Sequence, residues 1–445
     1  MRTDLDDRIL RGLRELVDAA PVVAPPALST VERPRRRPVP PRWVAPALAA
    51  AAVLTVLAGV TMPGTWWPTA APITPGDPAR PPGPSLPAEL APYSRLTGEL
   101  STAPVGPAIM AYGYSAEALW EPNQSLVLAA DRPAYRMVDL ALRRGVRNFP
   151  EGLLPAPVAL APDGAKLAVA GGGRMAVVDL TTGGVTREVA FDSGGPPPPM
   201  AWSSGGRWLA WGVDAQEQAI ALLDTVTGEQ RRFPVTGRVD SLAFHPDGQR
   251  LAVRVSTEVP LRILTLDGAL ERTLDVGPSA GLAGPGAWSP DGRRLAVLAA
   301  TKSGDFETDS IVLVDAVRGA QVGSVDETFS TARPEGHRGQ SFVAWASPDS
   351  VLVFRPGTGS IVEVPVTGGA AQVVTRFPME SGRQPTGVQV AYALLPGTAG
   401  RSDDTAPDRG PVPAGLVRLG FTTGAGGLLV LAAGAWLFRR RWLPL

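Results

Sequence analysis

The chain has no cysteine, which excludes disulfides, thiolate-held metals and cysteine nucleophiles. Histidine is nearly as scarce: His245 and His337 are the only two, too few for a multi-histidine metal centre. Lysine occurs only at Lys166 and Lys302, so almost all basic charge is arginine. Neither sign of charge dominates, since 42 basic residues balance 42 acidic ones over 445 residues. No global basic excess is therefore present to hold nucleic acid. A Walker loop and a dinucleotide fingerprint are both missing. What the chain does have is 50 glycines and 47 prolines beside 44% hydrophobic residues. That mixture favours a folded, turn-rich β protein with Pro-rich linkers.

Two uncharged runs are long enough to cross a bilayer as helices: residues 43–62 and 419–438. Arg33, Arg35, Arg36, Arg37 and Arg42 precede the first, and Arg439, Arg440 and Arg441 follow the second. The positive-inside rule then places both termini in the cytoplasm and the middle of the chain outside it. A cleaved leader is the alternative for the first run, against which stand its long basic preface and long apolar stretch. Residues 3–19 carry Leu5, Ile9, Leu13, Leu16 and Val17 on one helical face. The expected order is a cytosolic helix and Arg-rich segment (1–42), a span (43–62) and a Pro-rich linker (63–93). A central domain (94–396), a return linker (397–416), a second span (417–438) and a basic tail (439–445) follow.

The central domain repeats itself. In register stand ALAPDGAKLAVA from Ala159, AWSSGGRWLAWG from Ala201, AFHPDGQRLAVR from Ala243 and AWSPDGRRLAVL from Ala287. LWEPNQSLVLAA from Leu119 and AWASPDSVLVFR from Ala344 complete the set. The anchoring positions are Trp120, Leu160, Trp202, Phe244, Trp288 and Trp345, spaced by 40, 42, 42, 44 and 57. A period near 40–45 residues is that of a four-stranded propeller blade. Each unit reads as a short apolar strand ending in a large side chain, then a tight turn and a second strand. Three units carry the full Pro-Asp-Gly turn: Pro162-Asp163-Gly164, Pro246-Asp247-Gly248 and Pro290-Asp291-Gly292; Pro348-Asp349 is a shortened form. Pro presets φ, Asp bonds the backbone ahead, and Gly accepts positive φ. A third strand, a turn containing Gly and a more polar fourth strand follow.

The hydrophobic–Trp–Ser–Pro-Asp-Gly–x–x–Leu-Ala-Val pattern resembles that of TolB-type and WD-repeat-like β-propellers over about residues 94–396. The Gly-His and Trp-Asp signatures of WD repeats are missing, so the TolB-like form is the nearer resemblance. With its spans, the chain also resembles membrane-anchored extracytoplasmic proteins of actinobacterial type. The implied fold class is all-β: a β-propeller of six to seven four-stranded blades flanked by two single transmembrane helices. Residues 108–115 and 387–395 alternate like strands outside the register. Pairing the chain ends into one extra blade makes seven the preferred count.

The chemistry-bearing residues read as structural. His245 fills the turn position held by Ser289 and Ala161 in sister units, and the recurrent aspartates serve turn hydrogen bonds. Asp305, Glu307 and Asp309 alternate in an acidic loop, without the spacing of an EF-hand. Residues 326–340 read as a second, longer loop. No catalytic, cofactor-binding or metal residue is assigned. The functional expectation is a non-catalytic recognition scaffold displayed outside the cell, contacting membrane lipid and a protein, peptide or cell-wall ligand, with no nucleic acid. A transmembrane regulator, anti-sigma-like, whose cytosolic helix binds a partner is the alternative. A propeller enzyme is the lesser one.

Overall fold

The computed structural model describes residues 84–412, apart from 95, 115–123, 140–157, 172–173, 191–199, 214–217, 257–259, 278–279, 304–305, 331–341, 380–384 and 396–405. The N-terminal helix, both apolar runs, Trp120, Asp305 and His337 lie outside the described residues. Among those described, no helix is long and apolar enough to cross a membrane.

The chain opens with β1 (Ala108–Tyr114), β2 (Gln124–Ala129) and β3 (Tyr135–Met137). Five complete sheets follow. Blade 2 holds β4 (Val158–Leu160), β5 (Lys166–Gly171), β6 (Arg174–Asp179) and β7 (Val185–Ala190). Blade 3 holds β8 (Met200–Trp202), β9 (Trp208–Gly212), β10 (Ala219–Asp224) and β11 (Gln230–Pro234). Blade 4 holds β12 (Val239–Phe244), β13 (Arg250–Val255), β14 (Leu261–Thr265) and β15 (Leu270–Leu274). Blade 5 holds β16 (Ala280–Leu282), β17 (Arg294–Ser303), β18 (Phe306–Asp315) and β19 (Gln321–Ser330). Blade 6 holds β20 (Phe342–Ser347), β21 (Ser350–Arg355), β22 (Ser360–Pro365) and β23 (Gln372–Arg376). The last strand, β24 (Pro385–Val390), returns to pair with β1 and gives blade 1 the order β24-β1-β2-β3.

The fold is thus an all-β propeller of six four-stranded blades. First strands are neighbours, β4 beside β8, β8 beside β12, β12 beside β16, and β24 beside both β20 and β4, so they surround the axis. The buried side chains fall into six apolar layers, one between each pair of adjacent blades. Strands such as β9 and β13 are buried on both faces because each blade has a neighbour on either side. The alanines preceding the anchors, Ala201, Ala243, Ala287 and Ala344, are fully buried near the axis.

The blade count is six rather than the preferred seven. Residues 108–114 are the second strand of blade 1, and 385–390 are its first. The unit beginning at Leu119 is not a separate blade: its apolar stretch is β2, the third strand of that same sheet. The chain ends complete a blade already counted. Parts of the two stretches read as loops are strands, while Asp305 and residues 331–340 lie outside the described residues. Glu307 and Asp309 fall on β18, in register with Lys302 and Ala300 of β17, and β19 continues to Ser330 alongside β18. The long β17–β18 hairpin supplies that continuation with a partner. Register shifts interrupt the outermost pairing in blades 2, 4, 5 and 6, and such irregularities discourage edge-to-edge pairing.

The described segments on either side of the ring are clasped to the outer strands of blades 6 and 1. Leu86 and Leu90, near the end of the Pro-rich stretch, are buried in the layer between blades 6 and 1. Leu90 N–H donates to the Arg376 carbonyl of β23, and Arg376 N–H to that of Ala88, both at 2.9 Å. On the outer edge of β3, Met137 N–H donates to Gly98 O and Tyr135 N–H to Asp408 O, both at 2.8 Å. The two straps touch where Gly98 N–H meets Arg409 O at 2.6 Å. A Cβ on Gly98 would lie only 2.6 Å from the Pro411 carbonyl oxygen, so the contact depends on glycine. Buried Arg136 gathers the straps: Nε donates to Ala103 O (2.8 Å), Nη1 to Asp408 O (3.1 Å) and Nη2 to Asp408 Oδ2 (2.9 Å). Arg136→Leu is expected to release residues 406–412 from β3. Amide exchange should then accelerate at Tyr135 and Asp408 while blade 4 stays protected, because local opening need not involve the whole fold.

Candidate functional site

The strands of each blade alternate in direction. First-to-second and third-to-fourth turns therefore share one face, and the remaining connections share the other. Every residue of the recurrent turn set lies on the first of these faces. Asp163 Oδ1 accepts from Ala165 N–H (3.0 Å), Asp247 Oδ1 from Gln249 N–H (2.8 Å) and Asp291 Oδ1 from Arg293 N–H (3.1 Å). Blade 6 departs from this pattern: Ser347 Oγ accepts from Asp349 N–H at 3.1 Å, and the Asp349 carboxylate lies 3.6 Å from Arg294.

Turns bond to turns around the ring. Lys166 Nζ of blade 2 donates to Gly206 O of blade 3 at 3.0 Å. Ser204 Oγ of blade 3 donates to Pro246 O of blade 4 at 2.8 Å. His245 Nε2 of blade 4 lies 3.3 Å from Gly292 O of blade 5, with its ring edge-on to Trp288 at 4.5 Å. Arg294 Nη2 of blade 5 donates to Pro348 O of blade 6. From blade 1, Ala108 N–H reaches Gly164 O (2.8 Å) and Ala393 N–H reaches Pro162 O (3.0 Å). Gly292 has φ of 69°, and any Cβ there would collide with the His245 ring, so both conformation and space require glycine. Between blades 6 and 1, aromatic rings of Phe354, Phe377, Tyr112, Tyr114 and Tyr93 form an edge-to-face chain with centroids 5.4–5.6 Å apart.

A second set of bonds runs in the opposite direction near the axis. The indole N–H of Trp202 donates to Ala159 O (2.8 Å), that of Trp288 to Ala243 O (3.2 Å) and that of Trp345 to Ala287 O (2.9 Å). Phe244 has no N–H to give, so the junction of blades 3 and 4 lacks this bond. At the closing junction Gln389 takes over. Its Nε2 donates to Val158 O (2.6 Å) and its Oε1 accepts from Leu160 N–H (2.7 Å).

Trp202 and Gln389 also line a small depression at the axis, about 20 Å³ in volume. Leu160, Trp202, Phe342, Val343, Val388 and Val390 line it, with Pro162, Pro285, Gly286, Gln389 and Tyr392. Pro285 and Gly286 enter because the first strand of blade 5 is interrupted. Leu282 pairs with Val297 and Trp288 with Leu295, so six steps on one strand match two on the other. Tyr392 opens a single 3-10 turn, Tyr392–Leu394, that follows β24. Burial pushes its phenol above the ordinary range. Most of its side chains are apolar, polar atoms make up nearly half of the exposed lining, and its one carboxamide is already engaged on both atoms.

Sequence reasoning missed Gln389 and the aspartates of the third-to-fourth turns. Asp179, Asp224 and Asp315 each accept two turn amides through Oδ1. Their signal was legible as a repeated Asp four residues before Gly, at Gly183, Gly228 and Gly319. Asp224 also accepts Arg207 Nε (3.0 Å) and Nη2 (2.7 Å). The guanidinium groups of Arg207 and Arg231 lie 5.3 and 5.2 Å from the Trp208 ring centre. No group of three or more metal-ligating side chains occurs among the described residues.

No protein-family model and no curated protein matches the chain. Solved structures similar to it include TolB from Acinetobacter baumannii, at 16% identity over 62% of this chain and 69% of that one, with a TM-score of 0.38. The Cps50 (Swd1) β-propeller domain of Myceliophteria thermophila is similar at 16% identity, covering 49% and 69%, with a TM-score of 0.35. Hydrazine synthase of Kuenenia stuttgartiensis is similar at 18% identity and a TM-score of 0.35 over 49% of this chain; the match spans 64% of that protein's length. Each is a likeness of fold alone.

The two kinds of inter-blade bond should differ in cost. Trp288→Phe removes one donor and should lower stability by about 1 kcal/mol. Gln389→Leu strands both Val158 O and Leu160 N–H and should cost about 2 kcal/mol or more, both read by equilibrium urea unfolding. A third test uses acid. The Arg207 hydrogen bonds, against the opposing effect of burial, hold the Asp224 carboxyl at about 2 rather than 3.8. Its stabilising charge is complete above 3.8 and is lost as pH falls through about 2. Asp224→Asn should therefore be less stable than the parent at neutral pH, and the gap should close across that window.

Proposed function

We propose that the protein is a non-catalytic recognition scaffold: a propeller held outside the cytoplasm by two membrane spans, binding a protein, peptide or cell-wall ligand. The observation that carries the recognition reading is the small mouth at the axis, lined mostly by apolar side chains from several blades at once. The recurrent aspartates around it are engaged in turn hydrogen bonds, which supports binding over acid–base chemistry. A rigid ring whose six layers are each closed by a neighbour is a suitable platform for contacts at its surface. Anchoring rests on the uncharged runs 43–62 and 419–438 with their flanking arginines.

Two measurements test this reading together. Protease added to the cytoplasmic side of sealed membrane vesicles should spare residues 100–390; digestion there would overturn the orientation. A photo-crosslinking amino acid at Pro285, in the mouth, should trap a defined partner from intact cells. The same group at exposed Leu270 on the rim should not. Equal labelling from both positions, or none at the mouth, would remove the mouth as the recognition site.

A further inference from the structure

The clasp bears on how the propeller is held. The C-terminal strap is bonded to β3 through Asp408 and remains described to Val412. The second uncharged run begins at Leu419. Seven residues, fully extended, reach at most about 25 Å. The N-terminal strap grips the same region, through Leu90 on β23 and Gly98 on β3. Both tethers therefore leave from the side of the ring formed by blades 6 and 1, and the second is short. Blade 4 lies three blades from blade 1 on the opposite side of a six-membered ring.

The straps also present aliphatic side chains, as other edges of the ring do at Leu270, Val226 and Val317. Leu96 on the first is 44% exposed and Val412 on the second is 40% exposed. The strand edge beneath them is already paired, so strand addition by another chain is not what this edge offers. Aliphatic side chains on a rigid edge can enter the boundary between headgroups and acyl chains.

We propose that the strapped outer edge of blade 1 rests on the lipid surface at the foot of the second span, with Leu96 and Val412 in contact with the headgroup region. The ring then stands on edge, and both its faces open to the surroundings. This rests on the anchored reading above and adds an orientation to it.

The absence of cysteine permits single-site labelling of the full chain. Leu96→Cys, Val412→Cys and Leu270→Cys would each carry a fluorophore, with Leu429→Cys in the second uncharged run as a reference. The protein is reconstituted into liposomes containing a lipid nitroxide at the headgroup or along the acyl chain. Labels at 96 and 412 should be quenched by the headgroup nitroxide severalfold more than the label at 270, and the label at 429 by the acyl nitroxide. Quenching at 429 with 96 and 412 no different from 270 would overturn the orientation while leaving the anchor in place. No quenching at 429 would overturn the anchored reading, and the orientation with it.

Discussion

A single blade cannot bury itself. Its sheet is apolar on both faces, so each needs two neighbours, and only a closed circle gives every blade two. The whole structure therefore depends on the ladder between β24 and β1, where Met110 meets Val390 and Ala111 meets Gln389. Without it, the apolar layers on either side of blade 1 would lose their first strand. The concentration of reinforcement there follows from this. All five tyrosines of the chain lie on or beside blade 1, as do the Gln389 bonds, both straps and buried Arg136. The other junctions are continuous with the chain and need less.

The inter-blade bonds explain why the repeats are not identical. Lysine, serine, histidine and arginine donate across four successive turns toward carbonyls of the next blade, each from slightly different geometry. Substitutions that make one repeat unlike another are thus adjustments to neighbours that are themselves unequal. The indole bonds run backward near the axis while the turn bonds run forward, and together they resist both sliding and splaying of adjacent sheets. Two of the bonding side chains, Trp202 and Gln389, also line the mouth, so part of its wall is fixed by contacts between blades.

Much of this was legible in the sequence because turns and strand periodicity are local. The second strands at Lys166, Arg250 and Arg294 begin just after the turns where the aligned repeats place them. The first blade was not legible, because its first strand comes from the far end of the chain. Glu121-Pro122-Asn123 imitates a first turn, although the strand after it is the third of its sheet. The roles of Gln389 and His245 were hidden for a different reason. Each bonds to a residue of another repeat, at a distance no single repeat reveals. The mouth required the interruption at Pro285-Gly286, which the sequence shows only as a slightly longer spacing.

The position of β24 late in the chain sets the order in which the molecule can be completed. Five blades can form as they emerge during synthesis, each beside its predecessor. The first must wait as three strands with a bare inner edge until some 270 residues later its missing member arrives. A growing chain therefore spends most of its synthesis as an open arc with two unsatisfied ends. Protecting those ends from other nascent chains is a task that falls to the cell, because the finished sequence supplies the remedy last.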